Sequence, residues 1–497
     1  MRQIAIGLFL LGVLALVILP AVYADGLLHP SAVPQTTRTY PGPAPCNTTL
    51  QACLSLSGNG DVVNVLAGTY ITAQLNITRS LKLQGAGALS TILQANGAHG
   101  VINIGGGIVT GVLIANLSVV SGTAANGGGI FSGVATPLTL QNVDILSNTA
   151  GNGGGVFATA AVTLAAVNFV NNKANGGLGG GLRANTTAIV NGGRFERNRA
   201  LNGGGAIQAN NSLTLSNVSI ISNTSTSTSF NGGGIRADGG LFMVGGLVQN
   251  NSSASDGGGI WTSSAHLSAT QIISNAGTSG GGVYATGLLT LQDSALISNS
   301  AVSRGGGAFA TDASIAGGSF ERNAVTTTVG FGGGLYVLHS GSISGTAFLT
   351  NSAAMGGGPY VSDTLSLAGG ACFCGNFTSQ AGGGVLADTL HVTDTQFISN
   401  TAGAGGGVYV NWLQATDTQF ISNTTITDGG GVYASFTFIA DGATFTANSA
   451  GQNGGGAHAR TLEAVDTHFI GNSALNGGGA SAPTLHVTGT QFISNTA

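Results

Sequence analysis

Two carboxylates form the best catalytic arrangement the chain offers. Asp394 and Asp417 hold the same place in a repeating pattern, in the contexts Thr393-Asp394-Thr395 and Thr416-Asp417-Thr418. If each repeat is one coil of a stacked β-structure, they lie ~5 Å apart. A pair of carboxylates at ~5 to 9 Å serves as acid and base or nucleophile on a glycosidic bond. Asp441, Asp466 and His468 follow further along. The chemistry would be that of a polysaccharide lyase or glycoside hydrolase, or calcium binding without catalysis. The other reading is a tight bend. Gly and Asn fill the same register elsewhere, at Gly192, Gly317, Gly345, Gly442, Gly489, Asn142 and Asn217, and Gly, Asn and Asp share tolerance of left-handed backbone. A lyase would also want a basic residue to take the proton, and Arg460 is the only Arg or Lys after Arg322.

A second set of residues would bind rather than react. Trp261, Tyr284, Tyr336, Tyr409 and Tyr433 each follow an aliphatic residue that closes a Gly triplet, and Phe131, Phe157, Phe309 and Tyr360 take the same place. Strand alternation points Tyr409 outward if Val408 points inward. A row of exposed rings would suit a glycan or protein surface, since aromatics are enriched at recognition sites; alternatively the rings stack on one another and shield the sheet. No metal or cofactor is expected. His391 and His486 share a register but lie four coils, or ~19 Å, apart, and Gly105-Gly106-Gly107 lacks the Lys and Ser or Thr of a phosphate loop.

The elements that hold these residues come from a repeat. Gly triplets begin at fifteen positions from 127 to 477, ~25 residues apart. In phase with them runs an Asn column: Asn148, Asn172, Asn198, Asn223, Asn250, Asn275, Asn299, Asn323, Asn351, Asn376, Asn400, Asn423, Asn448, Asn472 and Asn495. Three residues before each Asn stands Phe in ten cases, half of the protein's 20 Phe, and Ile or Leu in the rest. Leucine-rich repeats have a similar period but need an apolar residue five before the Asn, where this chain has Thr395, Thr418 and Thr467. Triple Gly disfavours helix by ~1 kcal/mol per residue, and Val408-Tyr409-Val410 alternates as a strand does. The reading is an all-β, single-stranded right-handed parallel β-helix of about 18 coils, with a Phe stack and an Asn amide ladder inside.

Composition agrees with that class. The 497 residues include 86 Gly and only 9 Pro, too little of either for collagen, and 42 % are apolar, too many for general disorder. A net charge of −4 without clustered Lys and Arg excludes a nucleic-acid partner. Residues 1–24 read as a secretory signal cleaved after Ala24, with Arg2, an apolar run over 4–19 too short to span a membrane, and Val22-Tyr23-Ala24. Residues 25–45 would be a linker, 46–126 a cap with the first coils, and 127–497 the repetitive β-helix, incomplete at its C-terminus and with no transmembrane helix. Solenoids end in atypical capping repeats, so the uncapped last coil would permit end-to-end self-association. Disulfides are not expected: a short helix opening at Asn47 to Leu50 would hold Cys46 and Cys53 ~10 Å apart, and Cys372 and Cys374 on a strand would sit ~6.7 Å apart.

The box Phe397-Ile398-Ser399-Asn400 followed by Gly405-Gly406-Gly407-Val408 resembles the repeats of chlamydial-type polymorphic outer membrane proteins, over roughly 120 to 497. Gly60-Asp61-Val62-Val63-Asn64-Val65, Ala67-Gly68-Thr69-Tyr70 and Ser80-Leu81-Lys82-Leu83-Gln84-Gly85 resemble the opening coils of pectin-lyase-like β-helices. The resemblance implies surface display and adhesion, with outer-membrane association. The functional expectation is a non-enzymatic adhesin-like protein, extracellular or at the cell surface, against the alternative of a carbohydrate-active enzyme centred on Asp394 and Asp417.

Overall fold

One coil shows how the repeated residue types close on themselves. Gly405, with φ +61°, turns the chain into the strand Val408–Thr416; Asp417, φ 48°, bends it into Gln419–Ile421; Ser422, φ 54°, bends it again into Thr424–Thr425. Val408, Val410, Leu413, Ala415 and Phe420 point inward and are buried. Their neighbours point outward, singly as a pleated strand requires except at Asn411 and Trp412, which do so in succession. Every strand pairs in parallel with its counterpart one coil on, Val408 with Val432, Gln419 with Thr444 and Thr424 with Ser449. Repetition of this unit makes an all-β parallel solenoid of about 18 coils of about 25 residues. Its strands form a 43-stranded sheet and, after each Asn, a 14-stranded one. The computed structural model describes residues 35–107, 109–133 and 135–497, so the signal read over 1–24 lies outside the described residues.

Two columns fill the interior. Phe rings stack from Phe320 through Phe348, Phe373, Phe397, Phe420, Phe445 and Phe469 to Phe492, with centroids 4.5–5.1 Å apart. That is the offset-stacking range. Beside them, the Asn carboxamides bond in one chain from Asn148 to Asn495. Each Nδ2 donates to the next Oδ1 at 2.9–3.1 Å. The second Nδ2 proton goes to a backbone carbonyl, as from Asn400 to Phe373 O at 2.7 Å, and Asn400 Oδ1 also accepts from the Asn376 backbone N–H at 3.0 Å. The amide is therefore fully bonded while wholly buried.

The ladder corrects one assignment. Asn251, rather than Asn250, carries it, bonding Asn223 and Asn275 at 3.0 Å. Asn250 has φ 54° and belongs to the bend that precedes every ladder Asn, alongside Ser274, Ser298 and Ser399. Val248 then takes the Phe position, fully buried, in place of Leu247.

Glycine is required where coils touch. A Cβ on Gly407 would stand 2.5 Å from Gly431 O and 3.3 Å from Asn423 Cγ and Phe420 Cδ1, which leaves no room for one. The triplets also bond each other from coil to coil, Gly406 N–H to Gly429 O at 3.1 Å and Gly407 N–H to Gly430 O at 3.2 Å.

The N-terminal end departs from expectation in two places. Thr37–Tyr40, within the stretch read as linker, pairs in parallel with Val62–Val65. The helix Leu50–Ser55 starts after Thr49, whose hydroxyl accepts the Ala52 N–H at 3.1 Å. Cys46 thus precedes the helix in a turn, its N–H bonded to Pro43 O. Its Cα comes within 4.5 Å of that of Cys53, and the two form a disulfide. Burying Leu50, Cys53 and Leu54, the helix covers apolar residues, and Gln51 accepts the Asn76 N–H at 2.7 Å while donating to its carbonyl at 3.2 Å. Cys372 and Cys374, with Cα atoms 5.7 Å apart, are also disulfide-bonded; the strand is locally shorter than the ideal spacing assumed from sequence.

Asn400→Ala would strip partners from Asn376, Asn423 and Phe373 O, at about 1–3 kcal/mol for each buried group left unbonded. A loss of about 3–5 kcal/mol is expected in urea unfolding followed by circular dichroism. Ser399→Gly, one residue away at an exposed left-handed position, is expected to be neutral or mildly stabilising.

Candidate functional site

The residue after each aliphatic strand opener forms one unbroken outward column. Register links Phe131, Phe157, Arg183, Gln208, Arg236, Trp261, Tyr284, Phe309, Tyr336, Tyr360, Leu386, Tyr409, Tyr433, His458 and Ser481, one per coil. Tyr284 stacks on Phe309 at 4.4 Å, Tyr336 on Tyr360 at 5.1 Å, Tyr409 on Tyr433 at 4.7 Å and Tyr433 on His458 at 5.4 Å. Where cations interrupt, they lie over rings: Arg183 over Phe157 at 5.2 Å and Arg236 over Trp261 at 5.0 Å. Such contacts contribute about 0.5–1.5 kcal/mol each. The rings therefore do support one another.

Their exposure is uneven. Trp261, Tyr284, Tyr360, Tyr409 and Tyr433 are partly exposed, whereas Tyr336 is only 7 % exposed. Phe331 meets Tyr336 and Tyr360 edge-on at 6.3 and 5.2 Å, and Arg304 covers Tyr336 at 5.5 Å. Tyr336 thus underlies the surface rather than presenting a ring face. Polar atoms on this column also stand without hydrogen-bond partners: Arg183 Nε, Gln208 Oε1, Trp261 Nε1 and His458 Nδ1.

Burial favours the neutral forms of two phenols and the imidazole on this column. It pushes the Tyr433 phenol up, reinforced by Tyr409 and Asp428, and the Tyr284 phenol up, reinforced by Asp256. The His458 imidazole is pushed down by burial, with Asp428 opposing. Neutral rings and a neutral imidazole suit stacking against an uncharged ring or apolar face more than capture of an ion.

One element escaped the sequence pattern. Trp412 and Phe436, 50 % and 44 % exposed, stack at 5.8 Å on successive coils. They sit three residues after Tyr409 and Tyr433, where the strand leaves its first face. Alternation breaks there: Val410 and Leu413 are buried while both residues between them point outward, so a period-two pattern misplaces Trp412. Beside it, Asn411 Nδ2 donates to Asp388 Oδ1 at 2.6 Å. The two stacked pairs, Tyr409 with Tyr433 and Trp412 with Phe436, lie three residues apart on the same two strands.

Asp394 and Asp417 do occupy adjacent coils in register, since Thr393 pairs with Thr416. Both are exposed, and both have left-handed backbone, φ 47° and 48°. Asp293 and Asp466 share that conformation, as do Asn142, Asn217, Gly192, Gly317, Gly345, Gly442 and Gly489. The bend accounts for the residue type without chemistry. Asp441 lies one place earlier, opposite Thr416, and His468 lies on the following strand opposite Thr444, so neither extends the Asp394 column. The buried Thr395, Thr418 and Thr467 that follow the bends donate to carbonyls two residues back, at 3.0, 2.8 and 2.9 Å. Among the described residues, no group of three or more His, Cys, Asp and Glu is placed to hold a metal ion, and no helix is long and apolar enough to cross a membrane.

No family model matches the chain, and no curated protein matches it. Among solved structures, the A-module of the Azotobacter vinelandii mannuronan C-5 epimerase AlgE6 is similar at 12 % identity, over 87 % of this chain and 91 % of that one, with a TM-score of 0.16. A likeness that faint says nothing about chemistry here.

If the bend explains Asp417, Asp417→Gly leaves stability unchanged within about 0.5 kcal/mol, while Asp417→Val costs about 1–3 kcal/mol by forcing a β-branched residue into left-handed backbone. Urea unfolding of the two variants checks this; equal stability of the two would remove the bend as the reason for Asp.

Proposed function

We propose that the protein is an exported, non-enzymatic binding solenoid, adhesin-like, acting at the cell surface or outside the cell. The observation that carries this reading is the platform of Tyr409, Tyr433, Trp412 and Phe436, stacked pairs on adjacent coils with Trp412 and Phe436 about half exposed. Rigid stacked rings offer large contact area at low entropic cost, and they sit on a sheet held by the buried ladder beneath. Trp261 and Tyr284 extend the same column toward the N-terminus. Its chemistry suits the faces of sugar rings or apolar side chains of a protein ligand. The repeated Phe-x-x-Asn and Gly-Gly-Gly motifs, with their resemblance to polymorphic outer membrane proteins, support placement at an outer surface. The signal-like residues 1–24 support export.

A carbohydrate-active role for Asp394 and Asp417 rests on their adjacency alone, and their backbone conformation already explains them.

The test uses immobilised neutral polysaccharides and extracellular-matrix proteins as probes. Tyr409→Ser with Tyr433→Ser, and separately Trp412→Ser, are expected to weaken binding by at least ~10-fold with the circular dichroism spectrum retained. Unchanged binding by both variants would reject the platform. Release of reducing ends or unsaturated sugars from acidic or neutral polysaccharides, with or without calcium, abolished by Asp394→Asn or Asp417→Asn, would replace this reading with the enzymatic one.

A further inference from the structure

We propose that Cys372 and Cys374 form an exchangeable disulfide, a covalent site for small thiols of the glutathione class. The two cysteines flank Phe373 on one short strand, so both side chains leave its outward face. They are partly exposed, while Phe373 between them is fully buried. Cys46 and Cys53, by contrast, are 2 % and 0 % exposed. Access is one of the factors that set exchange rate.

The fold does not depend on this crosslink. It encloses a single residue, and the constraint a disulfide places on the unfolded chain grows with the loop it closes. The strand is held by its neighbours: Phe373 stacks on Phe348 and Phe397 at 5.1 and 5.0 Å, and the Cys372 N–H donates to Thr346 O at 3.2 Å. On the coils either side, Ala347 with Leu349 and Gln396 with Ile398 take the same two places in the same register, with no crosslink. A disulfide that solvent reaches and the scaffold does not need has the setting of labile rather than structural bonds.

The reaction is thiol–disulfide exchange. A thiolate attacks Sγ of one cysteine, a mixed disulfide forms, and the other cysteine leaves as thiolate and takes a proton. A second thiolate attacks the mixed disulfide, releasing the small-molecule disulfide and leaving two protein thiols.

The experiment treats the full-length protein with reduced glutathione, quenches with N-ethylmaleimide and maps the cysteines by peptide mass spectrometry. The Cys372–Cys374 bond is expected to open at least ~10-fold faster than Cys46–Cys53, without change in melting temperature, and Cys372→Ser treated instead with oxidised glutathione is expected to capture one glutathione on Cys374, the other half leaving as reduced glutathione. Opening no faster than Cys46–Cys53, a fall in melting temperature on opening or in the double Ser variant, or free thiols at both positions before any reductant is added would each overturn the proposal.

Discussion

The chain of carboxamides from Asn148 to Asn495 is the constraint to which the rest of the solenoid conforms. A buried amide has two donors and an acceptor that takes two bonds, and leaving one unmet costs about 1–3 kcal/mol. Here each amide gives one proton to the next coil and one to a backbone carbonyl, and its oxygen takes a side-chain and a backbone N–H from the coil before. Such saturation holds only if successive Asn stand directly above one another. The ladder therefore sets the coil spacing, and a coil with its Asn out of register would leave polar groups stranded inside.

Backbone geometry follows from that demand. Turning an Asn inward straight after an outward-facing strand end needs a residue in left-handed conformation, supplied at Ser274, Ser298, Ser399 and Ser422. The earlier bend, at Asp293, Asp394, Asp417 and Asp466, brings the Phe strand opposite the triplets in the same way. Opposite the Phe and Asn columns the chain must pass so close that only Gly fits, as at Gly407. The Gly triplets of the repeat are thus tied to a narrow interior.

Much of this was legible because stacked coils convert three-dimensional contact into one-dimensional period. The Phe column, the Gly triplets and the bend filled by Gly, Asn and Asp were all readable from spacing. Failures arose where one dimension was ambiguous. Asn250 and Asn251 are adjacent, and only the inward turn of the second distinguishes them. Cys46 met Cys53 because the helix began later than its capping residues suggested. Trp412 and Phe436 were missed because two consecutive outward residues defeat an alternating pattern, and the cover over Tyr336 comes from Arg304, at the end of a strand, and Phe331, in the turn of variable length between Asn and the triplet.

The shortage of charge has the same origin. In-register stacking at ~4.8 Å sets each side chain against its own kind, so repeated charged columns would repel along the whole rod. Neutral Thr, Ser, Tyr and Ile stack without that penalty, and the outer surface is left to rings and hydroxyls, a composition that favours contact over ionic chemistry. Hydrogen exchange of the Asn side-chain amides, resolved by NMR with selectively labelled asparagine, reads the ladder itself. Ladder amides such as Asn323, Asn400 and Asn448 should exchange orders of magnitude more slowly than the exposed Asn211. Exchange of the ladder amides as fast as that of Asn211 would contradict a buried, continuous ladder.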